Sequence, residues 1–268
     1  MSKALASLAS IAVRNRELVW ELTHREVMQP QANHFLGRYW LFMHPALSIL
    51  VLFSVFYFIY PTRLESMNGR GFVVYLLSGL IPWVVISELM ARACPLIRAN
   101  ANLVKQIVFP LETLVIKTVL ASLFVQLVMS AVVFVILFIT STAVSPSFLP
   151  LWIAALVIQS VFMIGLTLIL ASITPFVPDT EDLVSLIARA GLFLAPVLYV
   201  PTMFSPSVWR LFYLNPFSYM VWIHRDALFY QTITSSTVWA VAIFMSGSLL
   251  VIGAWLFRLM SPSFGEAI

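Results

Sequence analysis

Long stretches without an ionisable residue alternate with short charged segments along this chain, and the stretches have the length of bilayer crossings. A hydrocarbon core about 30 Å thick takes roughly 20 apolar residues per helical crossing. Charge-poor windows of that size predict crossings over residues 39–60 and 72–96, the second with Glu88 and Arg92 in its last turns. No Asp, Glu, Lys or Arg lies between Lys117 and Asp179, a stretch too long for one helix. The polar, proline-bearing run STAVSPSFLP (141–150) divides it into crossings over 111–140 and 151–173. Further windows fall at 183–200 and 238–257. The pattern predicts an all-α membrane protein with six transmembrane helices. Residues 1–38 form an amino-terminal segment, 39–258 the transmembrane domain and 259–268 a short tail.

The segments between crossings carry their own patterns. Arg14, Glu17, Glu21 and Arg25 recur at helical spacing with Val13, Trp20 and Val27 opposite, which predicts an amphipathic helix lying along the interface. Glu21 and Arg25 stand in the favourable i,i+4 order for a pair on that helix. Leu36 and Gly37 then end the helix or turn it into the membrane, a role suited to glycine's backbone freedom. Residues 97–110, IRANANLVKQIVFP, set Arg98, Asn100, Asn102 and Lys105 beside apolar residues, with Pro110 suited to the first turn of the next helix. Two readings stay open for this segment: a connection that snorkels its bases to lipid head groups, or a docking element for a cytoplasmic partner. Pro201, Pro206 and Pro216 forbid a continuous span over residues 201–237, yet VWRLFYL and FSYMVWI are too apolar for an exposed loop. Two short re-entrant or interfacial helices broken at Asn215 and Pro216 are expected there.

Composition excludes a soluble protein. Of 268 residues, 61% are hydrophobic and 10% charged, against about a quarter charged in soluble chains, and the mean hydropathy is +0.99. Lys and Arg set orientation. An inward amino end places Lys3, Arg14, Arg16, Arg25, Arg38, Arg92, Arg98, Lys105, Lys117 and Arg258 in the cytoplasm. Arg63, Arg70, Arg210 and Arg225 fall outside, and Arg189 lies within the fifth crossing, reaching back to the cytoplasmic interface. Both termini are therefore expected in the cytoplasm. No cleavable signal peptide is expected, because Lys3, Arg14, Arg16, Glu17, Glu21, Arg25, Glu26 and Arg38 are spread through the first 38 residues. The lone Cys94 forms no internal disulfide.

Chemistry is sparse. The chain has no GxxxxGK[ST] phosphate loop, HExxH, CxxC or GxSxG, and His24, His34, His44 and His224 are scattered, so no metal site or catalytic residue is expected. Glu88 has Arg92 one turn away and Asp226 adjoins Arg225, so each buried acid has a base at hand. No chain of ionisable groups crosses the bilayer, which argues against ion-coupled transport; if the chain moves a substrate uphill, the energy must come from elsewhere. Phe53, Tyr57 and Tyr60 share one face of the first crossing, and Trp83 follows Pro82 in the second. Rings of this kind can stack on sugars, although aromatic belts also occur at membrane interfaces irrespective of function.

Three stretches resemble the membrane subunits of polysaccharide-exporting ABC transporters of the O-antigen and teichoic-acid type: HFLGRYWLFMHPAL (34–47), YLLSGLIPWVVISELMARACPLIRANANLVKQIVFPLETL (75–114) and LFLAPVLYVPTMFSPSVWRLFYLNPFSYMVWIHRDALF (192–229). The resemblance implies a homodimeric channel in the bacterial inner membrane, paired with two copies of a separate ATPase that binds ATP and Mg. This chain would hold no cofactor of its own. It further implies that residues 14–29 and 98–108 face the ATPase, and that Leu36 and Gly37 stand at the substrate's cytoplasmic entrance. The implied substrate is a lipid-linked polysaccharide, with capsule, teichoic-acid, drug or lipid export by the same fold as alternatives. Membrane lipids are expected partners and nucleic acid is not. A membrane-embedded glycan-modifying enzyme is the reading from another class. It would need Glu88, His224 and Asp226 to act at one membrane face.

Overall fold

The computed structural model describes residues 14–28, 39, 43, 46–47, 49–51, 54, 69–105, 109–140 and 148–268. Most of the predicted first crossing lies outside them. Every described element is helical: α1 (Arg16–Met28), α2 (Gly69–Ala93), α3 (Leu96–Ala99), α4 (Ala101–Val104), α5 (Glu112–Thr140), α6 (Phe148–Ile173), α7 (Thr180–Leu194), α8 (Pro206–Leu211), α9 (Pro216–Arg225), α10 (Ser236–Met260) and α11 (Phe264–Ala267). A π-turn over Asp226–Tyr230 follows α9. Among the described residues, four helices are long and apolar enough to cross a membrane, in segments Val74–Ala93, Glu112–Val135, Phe148–Ile173 and Ser236–Ala267.

These four pack through small residues and interlocking side chains, the means left to helices when lipid is as apolar as their own surfaces. α6 and α10 touch backbone to backbone. A methyl added at Gly165 would stand 2.5 Å from the Leu249 carbonyl carbon, and one at Gly253 would stand 2.5 Å from the Gly165 oxygen. One apolar core runs through the bundle and includes Leu77, Ile81, Leu89, Phe162, Met163 and Ile223. A second gathers Ile97, Leu114, Leu168, Phe257 and Phe264 at the end where α2 stops and α5 starts, closed by the carboxyl-terminal turn.

The expected fifth crossing is shorter than its apolar window. α7 stops at Leu194 after 15 residues, a rise of about 22 Å against a core of about 30 Å. Residues 195–200 continue without helix, because Pro196 lacks the N–H that a further turn requires. Beyond them the chain breaks between two short helices at Asn215 and Pro216, as their sequence predicts. Arg189 folds back along α7 so that its Nε donates to the Ser185 carbonyl at 3.2 Å.

α1 packs on a different face from the one its apolar residues suggest. Val19 and Thr23 are buried and Glu26 is half-buried, whereas Trp20 is 70% exposed. The bundle offers cations rather than a greasy groove at this point, so the Glu26 side turns inward and Trp20 faces away.

Candidate functional site

Two sites organise the described bundle, one at each end. At the α1 end, the Glu26 carboxylate meets Lys117 Nζ of α5 at 3.0 Å and Arg92 Nη1 of α2 at 4.0 Å. Thr118 Oγ1 donates to Glu26 at 3.3 Å, and Arg92 Nη2 donates to Ser122 at 2.8 Å. The expected Glu88–Arg92 pair does not form: Glu88 is exposed, and Arg92 is drawn instead to Ser122 and Glu26 across the helix contacts. Glu21 and Arg25 do not pair either.

A half-open cavity of about 580 Å³ lies between α1, the end of α2, α3, α4 and the start of α5. Arg25, Glu26, Arg92, Asn100, Asn102 and Lys117 supply its polar lining. The structure thus brings Arg25, Asn100 and Asn102 together around one space, while Arg14, Glu17, Glu21 and Lys105 stay on exposed surface. Arg98 does something else: its guanidinium pairs with Glu181 in the first turn of α7, tying the α3 segment to that helix. Asn100 breaks α3 from α4 and donates its amide to the Leu96 carbonyl at 2.7 Å. Leu36, Gly37, Phe53, Tyr57 and Tyr60 lie outside the described residues. Trp83 is buried, edge-on to Phe217 at 5.4 Å between centroids, and a methyl at Gly191 would strike its ring. Within the subunit this ring fills the contact between α2 and α7.

At the other end, side chains satisfy the carbonyls that the early stop of α7 leaves open. Asn215 Nδ2 donates to Leu194 O at 3.1 Å, while its oxygen accepts from Phe217 N–H and caps α9. Arg225 Nη2 donates to Val197 O at 2.9 Å. Tyr75 Oη donates to Tyr199 O at 2.8 Å. The Arg225 guanidinium also stacks over the Tyr75 ring, with Cζ 3.7 Å from its centroid, in a space kept open by Gly79. Carbonyls left open where a helix stops need donors from elsewhere in the protein, and three donors from α2 and the 215–225 segment supply them here.

Arg225 is not the partner of Asp226, contrary to their adjacency in sequence. Neighbouring positions on a helix face different directions. The Asp226 carboxylate points to α10, accepting from Thr234 Oγ1 at 2.6 Å, Thr234 N at 3.2 Å and Trp239 Nε1 at 2.8 Å. His224 belongs to a third network. Its Nδ1 donates to Met220 O at 2.9 Å, and its Nε2 accepts from Gln126 Nε2 at 3.1 Å. Gln126 and Gln159 bond reciprocally at 2.9 Å. Glu88, His224 and Asp226 therefore serve separate surroundings and do not converge on a catalytic centre. The two glutamines carry no sequence signal beyond being amides in apolar helices, whose polar ends must find each other in a dry interior.

Residues 17–229 match the family profile described as ABC-2 type transporter. The chain is similar to "O-antigen export system permease protein RfbA" of Klebsiella pneumoniae, at 23% identity over 94% of this chain and 95% of the relative. It is similar to the protein of the same name from Myxococcus xanthus, at 28% over 69% of this chain and 68% of the relative. It is also similar to "Polysialic acid transport protein KpsM" of Escherichia coli, at 24% over 76% of this chain and 78% of the relative.

Proposed function

The chain belongs to the ABC-2 type transporter family, and on that premise we propose that it is the permease subunit of an ATP-driven exporter of a lipid-linked cell-surface polysaccharide, of the O-antigen kind. The observation that carries this reading is the end-to-end similarity to O-antigen export permeases. The similarity to a polysialic acid transporter supports a capsule-type cargo as the second reading, over a shorter part of the chain. The sequence has no phosphate loop, so ATP and Mg belong to a separate ATPase, two copies of which serve a homodimer of this subunit. The subunit crosses the inner membrane six times with both termini in the cytoplasm, the fifth crossing being α7 with its non-helical continuation.

In this arrangement the α1 end of the bundle faces the cytoplasm. Arg14, Glu17, Glu21 and Lys105 meet the ATPase, and the Arg98–Glu181 pair passes a push on α3 and α4 to α7. Leu36 and Gly37 stand at the substrate entrance, and Phe53, Tyr57 and Tyr60 offer the glycan its stacking surface. Deleting the gene tests the export reading. Surface glycan should disappear and lipid-linked glycan should accumulate on the cytoplasmic face, with recovery on complementation; normal surface glycan in the deletion strain overturns it. Co-purification of a phosphate-loop ATPase with the tagged subunit tests the partner, and reversing charge at Lys105 should reduce the recovery.

A further inference from the structure

We propose that the cavity between α1 and the α3–α4 segment is a binding site for the phosphate of a lipid head group. Its lining carries three cations, Arg25, Arg92 and Lys117, against the single carboxylate of Glu26. Glu26 engages Lys117 closely and Arg92 at the limit of ion-pair distance, which leaves the space with a positive excess. Arg25 has no acidic partner among the described residues, and the Asn102 side chain makes no hydrogen bond to any of them. Planar guanidinium groups and amide N–H donors are the groups that recognise phosphate oxygens in pairs.

Depth selects a lipid rather than a soluble anion. Ala91 and Arg92 are in the last turn of α2, and Lys117 and Thr118 are in the second turn of α5. The cavity therefore lies where apolar spans give way to the interface, at the level of bilayer phosphates. Leu22, Leu96 and Leu103 line the same space, giving the glycerol or prenyl end of a head group an apolar wall. A volume of about 580 Å³ falls within the roughly 300–1,000 Å³ of small-molecule sites. Basic pockets between membrane helices hold anionic head groups on the same physical grounds. The inference needs these helices to cross a bilayer and does not depend on the cargo.

Native mass spectrometry of the full-length, delipidated subunit tests it, with phosphatidylglycerol, phosphatidylcholine and polyprenyl phosphate as probes. Phosphatidylglycerol should be retained at lower concentration than phosphatidylcholine. Arg25→Gln should weaken its retention about fivefold, the effect of one interfacial base of about 1 kcal/mol, and Arg25→Lys should restore most of it. Asn102→Asp, which sets an anion at the rim, should weaken retention as well. Arg210→Gln, which removes an exposed base at the other end of the bundle, should change nothing. Stronger retention of polyprenyl phosphate than of phosphatidylglycerol would identify the carrier of the exported glycan as the occupant; the reverse would identify a bilayer lipid. Equal retention of phosphatidylglycerol and phosphatidylcholine, or unchanged retention in both Arg25→Gln and Asn102→Asp with native helical content, overturns the site. A deletion strain with normal surface glycan alongside intact lipid retention would remove the export reading and leave this site standing.

Discussion

A guanidinium sealed among helices with no carboxylate beside it must find its compensation in other groups, and Arg225 finds it in a carbonyl and an aromatic face. Its value to the protein is therefore measurable by subtraction. Arg225→Ala removes the donor to Val197 O and opens space beside Tyr75, so we expect a loss of about 3 kcal/mol, the combined cost of an unsatisfied buried carbonyl and a cavity. Tyr75→Phe removes the hydroxyl bond to Tyr199 O and should cost about 1 kcal/mol. Unfolding of the purified subunit in a denaturing detergent series reads both, and equal losses would contradict this division of labour. The sequence offers the neighbouring Asp226 as the natural partner of Arg225, and that expectation fails because successive helical residues diverge. What Arg225 serves is a stretch of backbone, and backbone carbonyls leave no mark in a list of side chains.

Helix contacts impose their own limits. The backbone approach of α6 and α10 leaves no room at Gly165, so Gly165→Leu should force the pair apart and cost on the order of 3 kcal/mol as an overpacked contact. Gly247, on the same helix as Gly253, has nothing within 4 Å of an added methyl; Gly247→Ala should leave stability unchanged or raise it by about 0.5–1 kcal/mol. Thermal unfolding of the two variants checks the contrast. α1 hangs on fewer contacts. Glu26→Ala strips Lys117 of its counter-charge, so amide exchange should rise across residues 16–28 while α6 and α10 keep their protection. Charge-poor windows, divided at the polar, proline-bearing run 141–150, fall within three residues of the ends of α2, α5, α6 and α10, since lipid thickness dictates both the window and the helix. They overrun α7 by six residues, because hydropathy reads the apolarity of AGLFLAPVLYV without registering that a proline stops its helix. The inward face of α1 is hidden from periodicity for a related reason: a carboxylate held by two cations counts as polar in the sequence and as interior in the fold. Of the candidate site residues, Arg25, Asn100 and Asn102 line one cavity, while Arg98 binds α7.

At the scale of the whole subunit, orientation is the property with the widest consequences, and the single buried Cys94 makes it readable. Thiol reagents should find almost nothing to modify in the natural protein, so introduced cysteines report cleanly. Ser207→Cys, exposed in α8, should react with an impermeant maleimide added to intact cells whose outer membrane is permeable to it. Ser263→Cys, exposed beyond α10, should react only once the inner membrane is opened. The opposite result would invert the subunit and with it the placement of the ATPase. The clamp around residues 194–199 bears, finally, on how such a subunit is made. In the proposed six-crossing subunit, α7 leaves the ribosome some twenty to thirty residues before Asn215 and Arg225 exist, so on entering the bilayer its last carbonyls have no donors and its length falls short of the lipid. A half-finished crossing of this kind is held poorly by the membrane alone. Insertion should therefore become secure only when the 215–225 segment arrives and folds against it, which makes the final third of the chain, rather than each helix in turn, the unit that is committed to the membrane.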